Sequence, residues 1–312
     1  MKKKLFNILP LCLIVVLLST LVSCEKELVL NLPASPSQLV VEGEIENGQL
    51  PQVLLTNSLG FFDKINLSNI KFEKGATITV TDLNTNYSVN LIQFGFPIPN
   101  ATDSIYFYTL PPLSIFDSIK GQIGHRYKLQ ILNKGILHEA ITSIPNQQLP
   151  DSMWAEKIPN DSGSNIRVKY QDPDTLGNYT KYKTQVLRQF KNVNLSEDYL
   201  TSFSSTFNDA LTNGQTLPFT INLGYNKNIN FNDTSQRKYF EMQTKVYKGD
   251  TVNIKFMGID YATYQFWETL EYSKNSTGNP FASPTKVQGN VSNAIGIWGG
   301  YGSKLMSIIL PK

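Results

Sequence analysis

The residue with the clearest chemistry in this chain is Cys24, because Leu21-Val22-Ser23-Cys24 reads as a lipobox. Cleavage before the cysteine leaves its thiol at a new N-terminus as a lipid acceptor. Lys2, Lys3 and Lys4 form a basic n-region, and Leu5 to Leu21 is an uncharged, mostly apolar run of 17 residues broken by Asn7 and Ser19. A bilayer-spanning helix needs roughly 20 apolar residues, so residues 1–23 have the form of a bacterial lipoprotein signal peptide. An ordinary secretory peptide followed by a chance cysteine is the alternative.

The only other cysteine, Cys12, lies inside the segment to be removed, so the mature chain has no disulfide. Removing 23 of 312 residues leaves 289, enough for one large or two ordinary domains held by packed cores. All three excess positive charges are Lys2, Lys3 and Lys4, so 25 Lys+Arg face 25 Asp+Glu after processing. That balance argues against a nucleic-acid partner or a polybasic membrane surface. Membrane attachment would rest on acyl chains such as palmitate, each methylene contributing about 0.8 kcal/mol. Glu25-Lys26-Glu27 resembles the acidic export tags that some diderm bacteria use to send lipoproteins to the outer face of the outer membrane; a solvated tether has the same composition.

Other chemistry is sparse. His125 and His138 are the only histidines, too few for a His-based metal site, and both read as sheet residues, partly exposed. Asp172-Pro173-Asp174-Thr175-Leu176-Gly177-Asn178 brings two carboxylates and a hydroxyl onto a turn. It lacks the third carboxylate and the bidentate glutamate of a calcium loop, which favours a plain turn. There is no G-x-S-x-G, P-loop or H-E-x-x-H motif. Gly299-Gly300-Tyr301-Gly302-Ser303 does not lead into a helix, and permissive turns explain it. Distant residues can still converge, so a Ser-His-Asp site or a glycosidase-type carboxylate pair stays open.

The elements that would position these groups are mostly strands. Residues 24–38 read as an extended tether. Leu39–Ile45, Gln52–Thr56, Ala76–Thr81, Tyr87–Leu91, Ser104–Tyr108, Tyr127–Leu132 and Leu137–Thr142 alternate with period two, with Asn47-Gly48 and Asn133-Lys134-Gly135 as tight turns. Seven such strands predict an immunoglobulin-like or transthyretin-like β-sandwich over 39–145. Residues 146–150, between Pro145 and Pro150, read as a linker to a second β-rich domain over 151–312 with one or two helices. Its expected strands are Ile166–Tyr170, Tyr179–Val186, Leu217–Leu223, Lys238–Tyr247, Thr251–Phe256 and Leu305–Leu310. Its expected helices are Glu197–Ala210, capped by Ser196, and one from Asp260 carrying a stripe of Tyr261, Tyr264, Trp267 and Tyr272, read as core packing.

Several motifs fall together: Leu39-Val40-Val41-Glu42-Gly43, Gly75-Ala76-Thr77-Ile78-Thr79-Val80, Ile144-Pro145, Asp172-Pro173 with Asn178-Tyr179, and Phe207-Asn208-Asp209 with Asn213-Gly214-Gln215. The C-terminal part adds Ile259-Asp260 with Tyr264 and Trp267, Asn279-Pro280-Phe281 with Pro284, Gly289-Asn290, and Gly296-Ile297-Trp298-Gly299-Gly300-Tyr301. In this order and spacing the chain resembles domain-of-unknown-function family 4249, exported lipoproteins of diderm bacteria. The resemblance implies a non-enzymatic accessory of a TonB-dependent outer-membrane receptor, lipid-anchored at the outer membrane on its surface or periplasmic side. It carries no cofactor, metal or catalytic residue to transfer, and a surface adhesin or a glycan or peptide hydrolase are the alternatives. Ser104, Ser118, Ser152, Thr175 and Thr251 each follow an Asp and precede an apolar residue, which resembles an O-glycosylation sequon of some of these bacteria. Turn-to-strand junctions produce the same pattern.

Overall fold

The computed structural model describes residues 36–59, 70–97, 104–111, 118–190, 193–195, 198–226, 232–276, 283 and 285–311. Cys24, Glu25-Lys26-Glu27 and Asn279-Pro280-Phe281 lie outside them, as does Ser196. The protein is mainly β, with one large sheet, a second small sheet and two helices among the described residues.

All seven strands expected in the first half form: β1 (Leu39–Glu46), β2 (Gln52–Asn57), β3 (Thr77–Asp82), β4 (Tyr87–Pro97), β5 (Ser104–Thr109), β6 (Arg126–Asn133) and β7 (Ile136–Ser143). Period-two patterns put one face inward in most of them, as in β3, where Ile78 and Val80 are buried between partly exposed threonines. Lys134 and Gly135 both adopt positive φ (49° and 78°), the two-residue loop whose twist matches the strands it joins. β4 changes partner halfway, pairing with β3 over Tyr87–Leu91 and with β5 over Ile92–Pro97. It thereby joins the β3-β6-β7 layer to the β1-β2-β5 layer, and both layers supply one core that includes Val41, Val53, Ile78, Tyr127, Leu129 and Ile131.

The second half contributes β8 (Ser152–Lys157), β9 (Ser164–Gln171), β10 (Tyr179–Phe190), β11 (Val193–Leu195), β12 (Thr206–Asn208), β13 (Thr216–Ile221), α1 (Thr234–Thr244), β14 (Thr251–Ile259), α2 (Tyr261–Ser276) and β15 (Ile295–Ile309). The large sheet runs β11-β10-β14-β15-β1-β2-β5-β4-β3-β6-β7, with β12 pairing to β10, and the small one runs β13-β9-β8. The small sheet packs on one face of β10-β14-β15 around Ile166, Val168, Tyr182, Val252, Ile254 and Phe256. On the other face α2 packs Tyr264 against Met257, Ile259 and Tyr301.

β15 stitches the halves together. Its first part pairs in parallel with β1 from Val40↔Ile295 to Glu46↔Tyr301, and its second part pairs antiparallel with β14. The sequence led us to expect a strand only over Leu305–Leu310 and turns at the preceding glycines; those glycines lie inside the strand. Close backbone approach explains them: a Cβ at Gly302 would sit 1.7 Å from Pro145 O, and one at Gly43 would sit 2.8 Å from the fully buried Trp298 ring. Pro145–Pro150 is correspondingly packed, with Gln147 buried and its Oε1 accepting from Thr180 Oγ1.

Two further elements differ from expectation. Lys238–Tyr247, read as a strand, lies largely in α1, because Asp233 caps the backbone amides of Ser235 and Gln236 and good helix formers follow. Glu197–Ala210, read as a helix, contains the short strand β12 and is otherwise irregular where described. Ser202 there bonds Ser204 through both donor and acceptor, the local side-chain competition that disfavours helix in Ser-rich segments.

Candidate ligand-binding cleft

Where β9 ends, the chain turns through Asp172-Pro173-Asp174 and returns as β10. The Asp172 amide donates to Gln215 O at 3.0 Å, fastening this turn to the loop between β12 and β13. In that loop Asp209 O accepts from the amides of Thr212 and Asn213. Gly214 takes a positive φ of 69° with Asp174 beside it. The two loops, 37 residues apart in sequence, form one corner.

A cleft of about 400 Å³ opens at this corner, with Asp172 among its lining residues. Its walls are Tyr170, Tyr182, Phe207 and Phe219, with Leu217 and Pro218 beside them. Phe207 meets Tyr170 edge-on at 5.8 Å between centroids and Phe219 at 5.3 Å. Tyr182 reaches from β10 and donates to Ser204 O at 2.9 Å. Size and lining are those of a small-molecule site.

Two buried carboxylates meet at this corner, Asp172 lining the cleft and Asp209 beside it. Asp209 is 4% exposed, and its Oδ2 accepts from Asn178 N at 2.9 Å and Asn178 Nδ2 at 3.2 Å. Asp172 is 6% exposed, and its Oδ2 has no hydrogen-bond partner in the protein. Burial, followed by the negative charge of Asp209, pushes the Asp172 carboxyl up from its ordinary range despite a bond from the Gly214 amide. Burial also raises the Tyr170 phenol, and the Asp172 charge adds to it.

A separate cluster sits under α2. Lys181 is fully buried, and its Nζ lies 2.6 Å from Ser205 Oγ, 3.0 Å from Glu271 Oε1 and 4.1 Å from the Trp267 ring centroid. Ser205 N donates to Glu271 Oε2 at 2.9 Å, and Ser205 Oγ donates to Glu271 Oε1. Amine and hydroxyl are spaced like a nucleophile and its base, yet both are fully buried and both are engaged by the carboxylate. That arrangement locks α2 onto β10.

The remaining residues singled out from sequence are dispersed. Ser118, Ser152 and Thr175 are exposed, while Ser104 and Thr251 are half-buried at strand starts. His125 is half-buried, with Nδ1 2.8 Å from Asp82 Oδ2. His138, expected to be partly exposed, is 4% exposed, because it lies on the inward face of β7 with Nδ1 3.1 Å from Ser292 O. Among the described residues no cluster of three or more His, Cys, Asp or Glu side chains could hold a metal, and no helix is long and apolar enough to cross a membrane. Within the aromatic stripe of α2, Tyr264 is buried whereas Tyr261 and Tyr272 are about half exposed.

The motif residues meet in two places. Gly43, Asn290 and Trp298 meet at the β1–β15 seam, where Asn290 accepts from Trp298 N and donates to Trp298 O. Asp172, Asn178, Asp209, Gly214 and Gln215 meet at the cleft corner. No curated protein matches this sequence. A family model described as "Domain of unknown function (DUF4249)" matches residues 25–305, most of the chain, and the protein belongs to that family.

Proposed function

We propose that this protein is a lipid-anchored, non-enzymatic accessory of a TonB-dependent nutrient receptor at the outer membrane. The observation that carries the anchor is the lipobox ending at Cys24, thirteen residues ahead of Ser37, where the β-rich unit begins. A chain of that length spans at most about 45 Å, so the unit would work close to the membrane surface. The receptor partnership follows from the family resemblance and is supported by a neutral mature chain and a cleft suited to a small ligand.

Mild-detergent extraction of the outer membrane tests this reading, with the expectation that the protein co-purifies with a β-barrel receptor. Recovery as a clean monomer without a barrel under every growth condition would count against it. One observation favours a second reading, a hydrolase, namely the 2.6 Å contact between Lys181 and Ser205. Full burial and the Glu271 carboxylate weigh against it, since a Ser–Lys pair needs a neutral amine and an accessible hydroxyl.

A further inference from the structure

Among the described residues, five of the six buried carboxylates have a side-chain partner. Asp250 faces Arg188, Glu271 faces Lys181, Glu73 faces Lys134 and Asn57, Asp82 faces His125, and Asp209 faces Asn178. Among the described residues Asp172 Oδ2 is the one buried carboxylate oxygen without a partner, and Asp172 is one of the residues lining the aromatic cleft. A buried acceptor left unmade costs about 1–3 kcal/mol, more when it is charged. An unmade buried acceptor that lines a cleft is therefore a mark of a functional site.

The neighbours of that oxygen define the ligand. Asp209 places a second negative charge beside it, so the corner favours a cation over a neutral donor. The faces of Tyr170, Phe207 and Phe219 carry the negative side of the ring quadrupole, which also attracts cations, while their bulk accepts an apolar body. Phe207 and Phe219 are only half-buried, which leaves part of each wall accessible to an incoming molecule.

We infer that the cleft bounded by Tyr170, Phe207, Phe219 and Asp172 is a binding site for a protonated primary amine carried on an aromatic or apolar body, with Asp172 as the counter-ion. The inference stands apart from the receptor partnership, since amine binding can fail or succeed whether or not a barrel co-purifies.

Calorimetric titration of the full chain in detergent micelles with three probes that share a phenyl body tests it: 2-phenylethylamine, 2-phenylethanol and phenylacetate. The amine is expected to bind at least about tenfold more tightly than the alcohol, as the charge pair requires, and the acid not at all. Asp172→Asn should reduce the amine to the level of the alcohol, and Phe219→Ala should weaken amine and alcohol alike, with circular dichroism confirming that both variants fold. Equal binding of amine and alcohol, no amine binding at millimolar concentration, or unchanged amine binding by Asp172→Asn would overturn the assignment.

Discussion

Replacing Lys181 by methionine probes how α2 is held on the sheet. The variant keeps the length and apolar stem of the side chain but removes the charge that lies 3.0 Å from Glu271 and 4.1 Å from the Trp267 ring. Glu271, itself 6% exposed, then keeps a buried charge without its cation. Removing one partner of a buried ion pair costs about 3–5 kcal/mol, against a total stability of about 5–15 kcal/mol. Adding Glu271→Gln removes the stranded charge and leaves a side-chain oxygen for Ser205 N, so the double variant should recover about 1–3 kcal/mol of that loss. Equilibrium urea unfolding, with the slope compared among all four proteins, reads both quantities. A Lys181→Met loss below about 1 kcal/mol, or a double variant whose loss is the sum of the singles, would refute a buried structural lock. It would also reopen the reading of Lys181 and Ser205 as a reactive pair.

Asp260 should matter more than a helix cap alone. Its Oδ1 accepts from Thr263 N, capping α2, while its Oδ2 accepts from Thr142 Oγ1 and Ser143 N on β7. Asp260→Ala is expected to cost about 2–4 kcal/mol in urea unfolding, against about 1 kcal/mol for a cap lost by itself. Alkaline pH should destabilise the fold through buried phenols. Burial pushes Tyr127 up to about 12 even though it accepts from Gln122 N, whereas in the unfolded chain it titrates near 10. Its contribution is therefore fully present below about pH 10 and is lost between about pH 10 and 12, amounting to about 2–3 kcal/mol. Tyr127→Phe should flatten the stability curve in that window, with phenolate absorbance and unfolding midpoints followed together.

The seven strands β1–β7 were legible because most present one apolar face, and α2 was legible because Asp260 precedes an aromatic run. β15 was not, because glycines forced by close backbone packing resemble turn glycines in a linear reading; Gly302 facing Pro145 O is invisible without the partner strand. α1 was missed because Gln243 is its only buried residue, so no apolar stripe announced it. At the cleft, the sequence displayed Asp172 and Asp174 as a turn with two carboxylates. What makes Asp172 unusual is Asp209, which arrives from a loop 37 residues away, and aromatic walls of which only Tyr170 is its sequence neighbour, the others coming from β10, β12 and β13. No local pattern could have joined them.

The most direct test of the account is the membrane partition of a Cys24→Ala variant beside the wild-type chain, with circular dichroism on each fraction. The account predicts that the variant leaves the membrane fraction as a folded, β-rich protein, because Cys24 precedes the unit that begins at Ser37. Retention in the membrane fraction, or release in an unfolded form, would contradict it.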